Sequence, residues 1–189
     1  MFQNSLSHSR IHDFWTNSVQ FHGKPCSILA LGVRVCDTAL EKLNLSEAEP
    51  ERLVCVSEYV GCCTDAIQVC LHCTAGKKHL LYYKTGRIIF TVYDLFSGNS
   101  VRICAKPDIT ENLRQCAPEQ ILSLPEETLF YFEEAHPLTQ RTIKRVCKPC
   151  DAPPESVPYR DSGVQDSPEQ FLKFDLSDNG ACRVPRRRK

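Results

Sequence analysis

The residues with the clearest chemical potential in this chain are thiols and imidazoles placed at helix breaks. Twelve cysteines and six histidines occur in 189 residues. His22 and Cys26 stand between two predicted helices, and Cys62 and Cys63 stand between a predicted strand and a third helix. Free N–H groups and the dipole at such a helix start favour the thiolate form. Imidazole and thiolates together suit zinc or a similar borderline ion.

Carboxylate and amide groups follow on the same helix. Asp65 and Gln68 are three residues apart and therefore share one helical face. Packing of this helix against residues 22–26 would bring them into one pocket with the thiols and His22. Considered singly, His22 is also consistent with a structural, hydrogen-bonded histidine, and Asp65 with a carboxylate that stabilises the first helical turn.

Two groups of candidate site residues follow from this pattern. Those for catalysis or ligand binding are Cys62, Asp65, Gln68, Lys77 and Tyr93. Those for a metal in the body of the chain, of unspecified identity, are His22, Cys26, Cys62 and Cys73. A thiol enzyme is the alternative to a metal site, with Cys62 or Cys26 as nucleophile and His22 as its base or orienter.

A second candidate metal site lies near the C-terminus. Cys147 and Cys150 form a C-x-x-C pair that can hold one tetrahedral zinc ion, and Cys182 is a third ligand. Pro185 stands where a second C-x-x-C would be completed, so the fourth ligand is open: water, His136 or a partner chain. A degenerate site without metal and a redox dithiol are the alternatives.

Composition and charge exclude several classes of protein. The formal net charge is zero, so the body has no general attraction for nucleic acid or anionic membrane. The start of the chain lacks the pattern of a signal peptide, and no apolar run is long enough to span a bilayer. We therefore expect a cytoplasmic protein with reduced thiols, of which Cys36, Cys55, Cys70 and Cys104 are plain core.

The periodicity of apolar residues predicts an α+β fold, with N-terminal helices followed by an antiparallel meander. Helices are predicted at residues 4–21, 27–43, 65–72, 110–116 and 118–124, the third capped by Thr64, and strands at 53–58, 79–84, 87–94 and 100–105. Thr85-Gly86 is predicted to join the second and third strands as a hairpin. A change in composition sets the boundary between a domain at 1–136 and a zinc-finger-like domain at 137–189.

The same stretches resemble the FmdE family, the E component of molybdenum- or tungsten-type formylmethanofuran dehydrogenase. The resemblance rests on His22-Gly23-Lys24-Pro25-Cys26, on Glu58 with Cys62 and Asp65-Ala66-Ile67-Gln68, on Cys73-Thr74-Ala75-Gly76-Lys77, and on Gly86-Arg87 leading to Phe90 and Tyr93. The departures are Lys24 in place of a second histidine, His72 in place of a glycine, and Pro185 in place of the last zinc ligand. A lysine does not replace a histidine as a metal ligand at neutral pH.

The resemblance implies an α+β domain with a zinc-ribbon or treble-clef-like tail, paired as a homodimer. It also implies association with formylmethanofuran dehydrogenase and with the one-carbon metabolism of methanogenesis. Because the catalysis of that oxidoreductase belongs to other components, the family leaves open whether this chain is itself an enzyme. The functions to be weighed are an accessory metalloprotein, a stand-alone thiol enzyme, and a zinc-finger regulator that binds nucleic acid through Arg186–Lys189.

Overall fold

The computed structural model describes residues 2–138, with side chains from residue 9 onward. Two long helices open the chain: α1, Phe2–His22, and α2, Ser27–Lys42. Ile11, Phe14 and Trp15 of α1 pack against the core. The apolar residues of α2 recur at steps of three and four, which predicts one buried face, but every residue from Leu29 to Leu40 is buried, so the helix is covered on all sides.

Five strands form one sheet in the order β2-β1-β3-β4-β5. They are β1, Leu53–Ser57; β2, Leu80–Tyr82; β3, Ile89–Asp94; β4, Ser100–Ala105; and β5, Phe130–Glu133. Strands β3, β4 and β5 form an antiparallel meander, β1 joins it antiparallel, and β2 runs parallel to β1 at the edge. The predicted α+β class is thus confirmed.

The predicted hairpin between the second and third strands is wrong. Strand β1 lies between β2 and β3, with Cys55 paired to Leu80 on one side and to Val92 on the other. The backbone N–H groups of Thr85 and Gly86 both donate to the carbonyl oxygen of Glu58, at 3.2 Å. The turn is therefore fastened to the end of β1 and does not join two paired strands.

A third helix, α3, spans Cys63–Cys70 and packs against both α1 and α2. It begins two residues earlier than predicted, so Thr64 lies inside its first turn and donates to the carbonyl oxygen of Gly61 at 2.7 Å. The shorter helices are α4, Pro107–Asn112; α5, Pro118–Ser123; and α6, Glu126–Leu129, with a 3₁₀ turn at Leu113–Gln115.

Close contact between α2 and α3 depends on one glycine. A Cβ atom at Gly32 would lie 2.7 Å from the Cα atom and 2.8 Å from the carbonyl oxygen of Cys63. Backbone atoms cannot give way as a flexible side chain can, so only glycine permits this approach. The contact fixes the start of α3, and with it Cys62, beside α2.

All described residues fall in one compact unit. Of the helices in this part of the chain, none has the length and apolar content that crossing a bilayer requires. The predicted tail ligands Cys147, Cys150 and Cys182 and the basic run Arg186–Lys189 lie outside the described residues.

Candidate metal centre

Three of the predicted ligands meet at the junction of α1, α2 and α3. One ligand atom each from His22, Cys26 and Cys62 lies within 4.8 Å of the other two. Cys26 Sγ is 3.8 Å from His22 Nε2. Ligand atoms around a tetrahedral zinc ion with bonds of about 2.0–2.3 Å are separated by roughly 3.5–3.8 Å. The separation of Cys26 and His22 is therefore close to what such an ion would give, and the other two pairs lie within 4.8 Å.

Asp65 fixes the orientation of the histidine. Its Oδ2 atom is 2.7 Å from His22 Nδ1, so the ring presents Nε2 to the two thiols. Carboxylate, imidazole and metal in this order are a common arrangement around zinc, since the carboxylate fixes the tautomer and raises the basicity of the ligand. The donor set, one nitrogen and two sulfurs with a carboxylate behind the nitrogen, fits a zinc-class ion.

Each ligand is held by the start or end of a helix. His22 is the last residue of α1, Cys26 is the N-cap of α2, and Cys62 is the N-cap of α3. The Cys26 sulfur accepts the backbone N–H of Leu29 at 3.3 Å, as an N-cap side chain does. Gly23, with φ +87°, lets the chain turn between α1 and α2, so that residues four apart face each other.

The expectation that the helix start favours thiolates at Cys62 and Cys63 is wrong for the isolated side chains. Burial raises the pKa of the Cys62 thiol, and the neighbouring Cys26 raises it further. Burial likewise raises the pKa of Cys63, which is fully enclosed and donates to the carbonyl oxygen of Ile28 at 2.9 Å. Desolvation outweighs the helix dipole here, and Cys63 is a structural thiol.

Two candidates on or just beyond α3 are not part of the cluster. The amide oxygen of Gln68 accepts the backbone N–H of Ala75 at 3.2 Å and so supports the loop after the helix. Cys73 is fully buried and donates to the carbonyl oxygen of Leu53 at 3.3 Å, and burial raises its pKa to about 12. Cys73 was predicted as a metal ligand, but it lies outside the cluster and is a core thiol.

Lys77 and Tyr93 also lie elsewhere. The Lys77 ammonium pairs with Glu51 at 3.1 Å, in the loop beyond the C-terminal end of α3. The Tyr93 hydroxyl donates to the carbonyl oxygen of His136 at 2.6 Å, beside Thr91 and Arg102 on the sheet. Neither residue joins the cluster, because Lys77 follows the far end of α3 and Tyr93 belongs to a strand of the sheet.

One residue beside the cluster was missed by sequence reasoning. The ring of Tyr59 folds over Gly61, where a Cβ atom would lie 2.6 Å from the ring carbon Cε1 and 2.7 Å from the hydroxyl oxygen. Burial raises the pKa of this hydroxyl, and the nearby thiols of Cys63, Cys62 and Cys26 add to the shift. An aromatic residue two positions before a glycine, just ahead of a cysteine ligand, is the only sequence signal for it.

The predicted core thiols are confirmed. Cys36, Cys55, Cys70 and Cys104 are all buried and free of disulfides. Burial raises the pKa of Cys55 above its ordinary value and that of Cys104 to about 11. Burial makes Cys55 and Cys104 poor nucleophiles that behave as small apolar side chains, whereas a hydrogen bond with Cys36 lowers the pKa of Cys70.

The match to a known protein family covers the residues of the cluster. The family model described as "FmdE, Molybdenum formylmethanofuran dehydrogenase operon" matches residues 21–131, which is more than half of the chain and includes all of the cluster. This chain belongs to the FmdE family. The resemblance predicted from the motifs around His22, Cys62 and Asp65 is thereby confirmed.

Two individual proteins are similar to this FmdE chain. A protein of Archaeoglobus fulgidus, named a probable S-adenosyl-L-methionine-binding protein, is 29% identical over 127 residues, which are 65% of this chain and 34% of that protein. The chain thus spans about a third of the length of that relative. The crystal structure of a tungsten formylmethanofuran dehydrogenase FmdE-like protein from Syntrophus aciditrophicus has a TM-score of 0.44 at 20% identity, covering 58% of this chain and 67% of that one.

Proposed function

We propose that this chain is an accessory metalloprotein of the formylmethanofuran dehydrogenase type, with a zinc-class ion held by His22, Cys26 and Cys62. The observation that carries the proposal is the convergence of these three side chains within 4.8 Å, with Asp65 hydrogen-bonded to the far nitrogen of the histidine. His22 and Cys26 lie in one segment, and Cys62 lies 36 residues after Cys26, so local sequence alone does not bring the three ligands together.

Three protein ligands leave one position for a water, a substrate or a partner group. Catalytic zinc sites keep such a position, whereas structural sites close it with a fourth protein ligand. An ion held here would supply Lewis acidity to whatever occupies that position. His22, Cys26 and Cys62 would orient the ion, and Asp65 would keep the imidazole in the tautomer that binds it.

Membership of the family supports the wider assignment. We place the chain with formylmethanofuran dehydrogenase-type subunits in the cytoplasm, as a homodimer that serves one-carbon metabolism and methanogenesis. A second zinc ion at Cys147, Cys150 and Cys182 in a zinc-finger-like domain at 137–189 completes the proposal. The nucleic-acid regulator is not favoured, because the formal net charge of the chain is zero.

Metal analysis of the full chain tests this proposal. Wild-type protein purified with zinc is expected to hold two ions per chain, and a variant with serine at Cys147, Cys150 and Cys182 is expected to hold one. Adding His22→Asn to that variant should remove the remaining ion, because asparagine lacks the imidazole nitrogen.

Cys116→Ser provides the matched control, since Cys116 is a half-buried free thiol outside the cluster. It should leave the metal content unchanged. A tail variant that holds no zinc while remaining folded by circular dichroism would refute the body site, whatever the wild-type content.

A thiol enzyme is a second candidate, because one observation favours it. Cys26 Sγ, His22 Nε2 and Asp65 form a chain of contacts at 3.8 Å and 2.7 Å, the order of a Cys-His-Asp triad. In this function His22 removes the thiol proton and Asp65 orients the ring. Alkylation by iodoacetamide in EDTA distinguishes the two: a triad predicts that Cys26 reacts fastest of the cysteines and that His22→Asn slows it.

A further inference from the structure

A cleft of about 420 Å³ opens next to the cluster. Its walls are the start of α2, the loop before α3, the residues leading into β3, and the segment that follows β4. Ile28 and Tyr59 form the wall nearest the cluster. Ile28 is two residues beyond Cys26, and Tyr59 is three residues before Cys62.

The wall shared with the cluster is rigidly built. The carbonyl oxygen of Ile28 accepts the Cys63 thiol at 2.9 Å, which ties the first turn of α2 to the first turn of α3. Tyr59 is held over Gly61, and its backbone N–H donates to the Ser57 hydroxyl at 3.3 Å. A ligand in the cleft would therefore meet a fixed tyrosine hydroxyl on the side of the thiols.

The charge of the cleft has one sign. Arg87 and Arg114 line it, and none of the described residues along its walls is acidic. Arg87 forms an ion pair with Glu58 at 3.1 Å, and the same carboxylate also pairs with Arg102. The guanidinium group of Arg114 has no hydrogen-bond or ion-pair partner among residues 9–138.

Apart from Thr110 and Tyr131, the rest of the lining is apolar or glycine. Ile28, Ile88 and Leu113 line the cleft together with the two arginines and Tyr59. Pockets that bind small molecules typically combine such apolar walls with a few fixed polar groups, in volumes of about 300–1,000 Å³. Guanidinium groups bind carboxylate and phosphate oxygens in a bidentate manner.

We propose that this cleft binds a small organic molecule that carries an oxyanion, a carboxylate or a phosphate ester, with Arg114 and Arg87 holding the anionic group. The apolar body of the ligand packs on Ile28, Ile88 and Leu113, and its other polar end lies against Tyr59, toward the cluster. The proposal gives the class of ligand for the proposed function. It rests on that function only for the role of the metal, because the anion contacts use none of the metal ligands.

Titration of the ¹⁵N-labelled full chain by NMR tests the cleft. The probes are phenyl phosphate and benzoate, with benzyl alcohol as their neutral counterpart. The two anions are expected to shift the amide resonances of Ile28, Gly86 and Leu113, and whichever binds more tightly identifies the oxyanion. Benzyl alcohol should bind about tenfold more weakly than that anion, because it lacks the charge-assisted contacts.

Substitutions at Arg114 test the anion contacts without changing a metal ligand. Arg114→Met should weaken anion binding about tenfold while keeping the aliphatic stem. Lys78→Met, which removes an equal charge from an exposed loop outside the cleft, should leave it unchanged. Arg114→Lys, which retains the charge and loses the fork, should fall between Arg114→Met and wild type.

Three results would overturn the proposal: benzyl alcohol binding as tightly as the anions, Arg114→Met binding like wild type, or no shifts at all. Cys62→Ser separates failure of the cleft from failure of the metal site. Unchanged anion binding in Cys62→Ser supports the cleft whether or not zinc is bound. Binding lost together with zinc would assign the anion to the ion and reject the arginine contacts.

Discussion

The two ends of α3 carry the same kinds of side chain in opposite environments. At the N-terminal end, Cys62 and Asp65 meet His22 and Cys26 in a half-buried cluster whose polar atoms face one another. At the C-terminal end, Cys73 and the nearby His79 are almost completely buried, and both bond to the carbonyl oxygen of Leu53, at 3.3 Å and 2.9 Å.

The difference shows what separates a site from a core in a cysteine-rich chain. At the C-terminal end, Cys73 Sγ and His79 Nδ1 are satisfied by a backbone carbonyl and His79 Nε2 faces Glu51, which fixes the loop after α3 to the start of β1. At the N-terminal end, the sulfur and nitrogen atoms point at one shared volume and retain solvent access. Cysteine and histidine occur at both ends, so the difference in role comes from the groups that their side chains contact.

Exchanging sulfur for oxygen at each end should give the largest contrast. Cys62→Ser is expected to lower the zinc affinity of the body site by more than about 100-fold, since loss of a mere supporting contact already costs about 10–100-fold. Cys73→Ser should leave zinc affinity unchanged and lower the free energy of unfolding instead. Zinc competition with a chromophoric chelator and urea unfolding measure the two. Equal zinc affinities in both variants would remove the distinction between the ends.

Gly32→Ala should damage the N-terminal end through packing alone. The added Cβ atom would lie 2.7 Å from the Cys63 backbone, so α2 and α3 must separate. We expect a loss of about 1–3 kcal/mol in the free energy of unfolding, the usual cost of overpacking. Gly76→Ala is the control, because nothing lies within 4 Å of its added Cβ atom. Similar urea midpoints for the two variants would refute the close contact.

Asp65→Asn should weaken zinc binding about 10–100-fold while leaving the fold intact, because the amide keeps a hydrogen bond to His22 but loses the charge. The surface offers a matched pair: His12 Nδ1 and Asp13 Oδ1 are 3.5 Å apart and largely exposed, with no thiol ligand among the described residues nearby. Asp13→Asn should therefore have no effect. Calorimetric titration with zinc compares them, and an unchanged affinity in Asp65→Asn would reject its supporting role.

The smallest expected effect concerns acid unfolding, which tests the ion pair between Arg52 and Asp94. Two hydrogen bonds from Arg52, both at 3.0 Å, hold the pKa of Asp94 at about 2, below its ordinary value. Because the folded pKa lies below the unfolded one, this stabilisation is complete above pH about 4 and lost as pH falls through about 2. Asp94→Asn should cost about 1–2 kcal/mol at pH 6 and little at pH 2. Equal costs at both pH values would contradict the ion pair.

The sequence predicted those parts of the fold that depend on local periodicity. Residues 27–43 were expected as a helix, and α2 spans Ser27–Lys42, because its apolar residues recur at helical steps. The pairing of β2 with β1 was missed, since nothing in the alternation of residues 79–84 tells a parallel edge strand from one arm of a hairpin. That choice is made by the loop after α3, which returns the chain beside β1.

The candidate site divides in the same manner. His22, Cys26 and Cys62 were predicted because they lie at helix breaks, and Asp65 because it begins the third helix, on one face with Gln68. Cys73 was placed in the same group by residue type alone, and the left-handed backbone of His72, with φ +54°, turns it into the core. The arginines of the cleft come from distant segments and have no common sequence signal.

X-ray absorption at the zinc edge tests the central claim most directly. The sample is the full chain with serine at Cys147, Cys150 and Cys182, loaded with one equivalent of zinc, so that only the body site can hold the ion. The account predicts two sulfur neighbours at about 2.3 Å and at least one imidazole nitrogen at about 2.0 Å. A shell without sulfur, or zinc that dissociates on gel filtration, would contradict a metal site at His22, Cys26 and Cys62.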